Sequence, residues 1–266
     1  MLDSPTRLTA MLNLLLLFSS CSLSHGSLLS PVDIGYDFNA NTLYGSLGNF
    51  ESFNLTVSSR QETLYWYAAN SFSAPEHGGT HLDAPFHFYK QGWKVADIPL
   101  NRLLVQGVMI DLTAKVAGNA DFNITADDLI EWEERYGPLP NEVVILINFG
   151  WASKYPDRLA YFGGTSNSDL HFPGVSESAA NWIVKTGKVV GVGVDTPSVD
   201  TGVNKEFIAH RILLTNSIYV LENVALAKAI LPPRNFKLAV MPMKIAEGSG
   251  APLRLIAYPN TEPSSN

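Results

Sequence analysis

Apolar residues in this chain come mostly in short runs broken by glycine, proline or polar clusters, a spacing that predicts many brief strands and a few helices. Val32–Phe38 and Phe53–Val57 alternate apolar and polar positions and read as strands near the start of the fold. Val105–Leu112, Val143–Phe149 and Lys188–Val194 are nearly continuous apolar runs of strand length, as strands buried on both faces require. Ser217–Leu221, Leu238–Met243 and Leu253–Ala257 complete the set. Two helices are marked by their ends. Thr125 with Asp128 makes a capping-box pattern, Asp127 and Asp128 suit the positive end of a helix, and Gly137-Pro138 stops it. Ser176–Thr186 is the second helix, closed by Gly187. Tyr155–Pro173 is rich in Gly, Ser, Asn and aromatic residues without periodicity and reads as a surface loop or lid, and the polar tail after Pro259 reads as frayed. There is no internal repeat, and the pattern as a whole is mixed α/β.

Composition narrows the picture. At 266 residues and 46% apolar content the chain can bury a full core, and one domain is the simplest reading. A formal charge of -7 without a Lys/Arg block excludes nucleic acid and anionic membrane surfaces as natural partners, leaving small or neutral ones. Residues 1–24 have the layout of a secretory signal peptide: Arg7, an apolar run Met11–Phe18 interrupted by Asn13, then the small-residue stretch Ser19–Ser24. The predicted organisation is therefore a cleaved leader, 1–24, and a secreted catalytic domain, 25–266, with no membrane contact after cleavage. Cleavage removes Cys21, the only cysteine, so the mature chain has no disulfide and no thiol nucleophile. Asn54-Leu55-Thr56 and Asn123-Ile124-Thr125 are N-glycosylation acceptor patterns compatible with that route.

The chemistry concentrates in His77-Gly78-Gly79-Thr80-His81-Leu82-Asp83-Ala84-Pro85-Phe86-His87, which holds three of the six histidines together with a carboxylate. Imidazole nitrogen and carboxylate oxygen are the ligands that zinc or manganese accepts in hydrolytic sites. All four side chains fall at odd positions, so an extended segment of period two turns them to one side, whereas a helix aligns only His77 and His81. Two glycines and an internal proline, at about 1 and about 3 kcal/mol, argue against a helix, so the run reads as a strand or tight loop lined by ligands. The competing reading is a set of histidines that cap, turn or pack.

This run resembles the cyclase family of metal-dependent hydrolases, which includes bacterial-type kynurenine formamidase and isatin hydrolase. Its His-x-Gly-Thr-His-x-Asp-x-Pro-x-His pattern is filled at every specified position. Val194-Asp195-Thr196-Pro197-Ser198 and Gly248-Ser249-Gly250-Ala251-Pro252-Leu253-Arg254 also resemble family segments, so the likeness runs from about Val32 to Tyr258. The resemblance implies a single-domain α/β fold of the swivelling β/β/α type and a centre of two divalent ions, zinc first and manganese second. In that centre His77, His81 and Asp83 hold one ion and His210 the other, and Asp83 and Glu222 bridge both. It further implies that His87 is the catalytic acid and base, that Asp195 orients a ligand histidine, and that the chain forms a homodimer. Many members carry a tryptophan near the substrate loop; Thr42-Leu43-Tyr44-Gly45 has none, which makes Tyr44 the candidate aromatic wall.

The activity implied is hydrolysis of a small-molecule amide by metal-activated hydroxide, with an aryl formamide as the first substrate class and an isatin-type cyclic amide as the alternative. A non-catalytic secreted binding protein on the same fold is the reading outside enzymes. A serine hydrolase finds no support, because no Gly-x-Ser-x-Gly elbow is present. No dinucleotide-binding or phosphate-cradling loop is present either.

Overall fold

A computed structural model describes residues 30–45, 52–228 and 230–259. The predicted leader with Cys21 and the tail beyond residue 259 lie outside the described residues. The strands are β1 (Val32–Asp33), β2 (Asn54–Glu62), β3 (Trp66–Ser73), β4 (His81–Asp83), β5 (Leu104–Asp111), β6 (Asn123–Ile124), β7 (Val143–Asn148), β8 (Gly174–Val175), β9 (Val189–Val194), β10 (Tyr219–Glu222), β11 (Phe236–Pro242) and β12 (Gly250–Pro259). The helices are α1 (Thr113–Val116), α2 (Ala126–Tyr136), α3 (Arg158–Phe162), α4 (Glu177–Thr186) and α5 (Ile208–Thr215).

Strands β5, β7, β9 and β10 run parallel, and β11 and β12 continue the sheet antiparallel beyond β5. Short β4 then bonds to both β10 and β12, so seven strands close into a barrel-like ring, with β1 added outside on β12. Closure removes open edges from the central sheet.

Why β7 is apolar from Val143 to Ile147 follows from its two faces. Val143, Ile145 and Ile147 pack outward against helix residues including Leu129, Trp132, Ile183 and Leu213. Val144 and Leu146 point into the ring with Leu82, Leu221, Leu238 and Leu255. Each such side chain contributes roughly 1.5–3 kcal/mol on burial. The helix ends follow the sequence signals. Asp128 Oδ2 accepts from Thr125 N at 2.8 Å, completing the capping box, and Gly187 closes α4 in the left-handed conformation at φ 66°.

Three expectations need correction. The strand expected over Val32–Phe38 is two residues long, because the chain leaves β12 at Gly35 and Tyr36 N donates instead to Thr80 Oγ1. Phe53–Val57 underestimates an outlying ribbon in which, among the described residues, β2 pairs with β3 alone. Tyr155–Pro173 is not a plain loop, since it contains α3 and buries Tyr161, Phe162 and Phe172. No helix among the described residues is long and apolar enough to cross a membrane.

Candidate metal centre

The ligand run is part strand and part tight turn, the two forms expected of it. His77 arrives through a turn in which Gly79 adopts φ 53°, a left-handed value that favours glycine. Only His81–Asp83 is strand, and Pro85–His87 is a 3-10 turn. Period two therefore accounts for His81 and Asp83 sharing a face, while the turns on either side swing His77 and His87 back to the same place. Antiparallel register supplies the next member: His81 pairs directly with Glu222 across β4 and β10. His210 comes from α5, the helix leading into β10. The strand expected over Ser217–Leu221 is β10, and the helix before it carries His210.

The geometry divides each carboxylate between two sides. Asp83 Oδ1 lies 2.6 Å from His77 Nδ1 and 3.2 Å from His81 Nε2, while its Oδ2 lies 3.2 Å from His210 Nε2. Glu222 Oε2 is 3.4 Å from His81 Nε2, and its Oε1 is 3.1 Å from His210 Nε2. His81, Asp83 and Glu222 offer ligand atoms within 4.8 Å of one another, as do His77, Asp83 and His87. The two triads share Asp83.

The donor set fits divalent cations. His81 Nδ1 donates to Gly79 O at 3.0 Å, which turns Nε2 inward, where an ion would take the place of its proton. That Nε2 is buried and has no hydrogen-bond partner: the Asp83 and Glu222 oxygens beside it are at ion-pair distance but out of hydrogen-bond alignment. His210 Nδ1 is likewise held, at 2.7 Å, by Asp200 Oδ2, turning Nε2 toward both carboxylates. Two buried carboxylates and three converging imidazoles call for positive charge.

Protonation shows the same demand. Burial lowers the pKa of His81, but Asp83 and Glu222 outweigh it and raise it to about 9. Burial also opposes the charged form of His210, yet Asp200, Asp83 and Glu222 push it well above the usual histidine range. Asp83 is held well below the ordinary carboxylate value, against burial, by His77, His210 and His81. His87 goes the other way. Burial, helped by the neighbouring histidines and only partly opposed by Asp83, lowers it to about 4.

A cavity of about 290 Å³ opens over the centre. Its apolar walls include Leu43, Phe88, Phe162, Leu170, Phe172 and Phe207, beside polar Asn167, Asn204 and Lys205, so the segment expected as a loop or lid does face it. His87 lies at its floor, stacked on His77 with centroids 4.0 Å apart.

Two assignments are corrected. Tyr44 is not a cavity wall: it is buried, bridges Gly78 across the backbone, and its ring fills the space above that glycine. Asp195 orients no histidine. Its carboxylate accepts from Phe149 N at 2.9 Å and Ala152 N at 3.0 Å, fastening the turn after β7 to the end of β9. The residue that orients His210 is Asp200. It also accepts from Ala209 N and His210 N and so caps α5, whose own N-cap position is Phe207. Sequence reasoning had one signal available, an aspartate shortly before a helix lacking its own capping side chain. Asn54 and Asn123 are both exposed.

The family described as "Putative cyclase" matches residues 32–201. Isatin hydrolase of Roseibium aggregatum is 28% identical over 201 residues, covering 72% of this chain and 75% of that one. Kynurenine formamidase of Bacillus cytotoxicus is 31% identical over 187 residues, covering 69% and 76%. Isatin hydrolase A from Ralstonia solanacearum superposes with a TM-score of 0.80 at 26% identity, covering 98% of this chain and 100% of that one.

Proposed function

The chain belongs to the cyclase family, and from that premise we propose that it is a secreted amidohydrolase. It holds two divalent ions, zinc or manganese, and cleaves the C–N bond of a small aryl amide. The observation that carries this reading is the division of Asp83 and Glu222, one oxygen of each toward His81 and the other toward His210. Bound there, the ions supply Lewis acidity and lower the pKa of a water.

The chain's own residues do the rest. Gly79 O and Asp200 fix the tautomers of His81 and His210. The apolar walls suit an aromatic ring and leave room for a small ligand, the cavity being at the low end of the roughly 300–1,000 Å³ usual for such sites. His87, neutral at pH 7 because burial depresses its pKa, takes a proton from the attacking water. It returns that proton to the nitrogen as the C–N bond breaks, so a carboxylic acid and an amine leave without net proton change at the enzyme.

An aryl formamide is the first substrate class, in keeping with the kynurenine formamidase relative. Isatin-type lactam opening is the second reading, favoured by the near-complete superposition on an isatin hydrolase. Turnover of N-formyl aryl amines against isatin-type lactams, compared by kcat/KM, tests the choice; activity on neither removes both. The swivelling β/β/α class, secretion and glycosylation at Asn54 and Asn123 belong to the same proposal. So does a homodimer, which the ribbon supports: Leu55, Val57, Trp66, Tyr67 and Phe72 are exposed on two strands that pair only with each other.

A further inference from the structure

Among the described ligand candidates, His77 alone has its outer ring nitrogen held by another side chain that itself leans on a carboxylate away from the centre. Its Nε2 lies 2.8 Å from Ser249 Oγ, and Ser249 Oγ lies 2.7 Å from Glu76 Oε2. The same Glu76 oxygen accepts from Ser249 N at 3.0 Å and Gly250 N at 3.3 Å. The proton order follows from which acceptor is stronger. A hydroxyl has one proton to donate, and a charged carboxylate draws it more strongly than a neutral ring nitrogen does. Ser249 therefore donates to Glu76, and its lone pair accepts from His77 Nε2–H. This leaves the His77 lone pair on Nδ1, facing Asp83 Oδ1. Those two acceptors converge as a cation requires. Gly250 makes the approach feasible, because a Cβ there would stand 2.5 Å from His77 Cε1.

We propose that Glu76 and Ser249 are positioning residues that set the tautomer and ring orientation of His77, and that they control the ion on the His77–His81 side alone. The ion on the His210 side answers to Asp200. The inference rests on the metal-dependent reading above. Its consequence is that the two ions are tuned separately, one from the turn opening β12 and the other from the loop before α5.

The test is a chelator competition with zinc on the full-length protein, resolving two affinities, followed by cobalt substitution and visible absorption of each site. Ser249→Ala keeps Glu76 on both backbone N–H groups but removes the relay. It is expected to weaken one ion about 10- to 100-fold, leave the other unchanged, alter the cobalt spectrum of the weakened site, and leave the melting temperature of metal-free protein as in wild type. Ser249→Thr, which restores the hydroxyl, is expected to recover the affinity, and Glu76→Gln to fall between. Two wild-type affinities in Ser249→Ala overturn the inference and leave the metal-dependent reading standing. So does an equal loss at both sites with a lowered metal-free melting temperature. Wild-type protein that retains no ion overturns both.

Discussion

Replacing Asp200 with Asn changes one atom at the point where fold and centre meet. Oδ1 of Asp200 takes Ala209 N at 2.8 Å and Asn204 Nδ2 at 2.9 Å, while Oδ2 takes His210 N at 3.1 Å and His210 Nδ1 at 2.7 Å. An amide has one oxygen and one NH₂. If the oxygen stays on the Ala209 side, the helix keeps half its cap, worth on the order of 1 kcal/mol. The NH₂ then meets two donors, and His210 loses a charge-assisted bond worth roughly 1.5–3 kcal/mol. Relief requires His210 to move its proton to Nε2, which takes away the lone pair aimed at Asp83 and Glu222. The expected outcome is a loss of about 10- to 100-fold in affinity for one ion, with a small drop in metal-free stability. Asp195→Asn is the control. It sits on backbone N–H groups and no histidine, so replacing it is expected to leave zinc affinity unchanged. Chelator competition and thermal unfolding of the metal-free forms read both quantities. Wild-type affinity in Asp200→Asn, or the loss appearing in Asp195→Asn, refutes the reasoning.

Other predictions address the remaining parts. His87→Ala is expected to cut kcat by about 10²- to 10⁴-fold with the metal content retained; loss of an ion instead makes His87 a ligand. Because Asp83 and Glu222 raise His81 to about 9, zinc binding at pH 7 displaces at least one proton, and zinc affinity rises with pH up to about 9. Calorimetry in buffers of different ionisation enthalpy reads that proton release, and a value of zero contradicts it. Burial raises Asp195 from 3.8 to about 6 in the folded chain, against its backbone hydrogen bonds. A raised folded value means its contribution to stability is full below about pH 4 and is lost as pH rises through about 6, a change on the order of 3 kcal/mol. Urea midpoints of metal-free wild type minus those of Asp195→Asn, taken across that window, isolate it, and a flat difference rejects it. Leu55→Asp with Phe72→Asp is expected to convert a dimer into a monomer by light scattering; wild-type protein that is already monomeric sinks the homodimer.

Local signals carried much of this architecture. The buried strands were legible because both faces of β7 are apolar, and α2 and α4 because Thr125, Asp128, Ser176 and Gly187 sit where backbone groups need partners. His81 and Asp83 were legible through strand alternation. What lay beyond reading is long-range. The β2–β3 ribbon carries Ser, Arg and Gln where a core strand has aliphatic residues, because it packs on little besides itself. Helix α5 starts at Phe207 with φ 52° and takes its cap from Asp200. Asp195 and Asp200 stand in one loop and look alike as residues; only the fold shows that one faces β7 and the other His210. Glu76 and Ser249 meet across 173 positions of chain.

The most direct test of the central claim is a crystal structure of zinc-loaded protein with anomalous scattering recorded at the zinc edge. Two peaks are expected, one among His77, His81, Asp83 Oδ1 and Glu222 Oε2, the other beside His210, Asp83 Oδ2 and Glu222 Oε1. An anomalous map without a peak at these side chains, from protein folded as described, contradicts that claim.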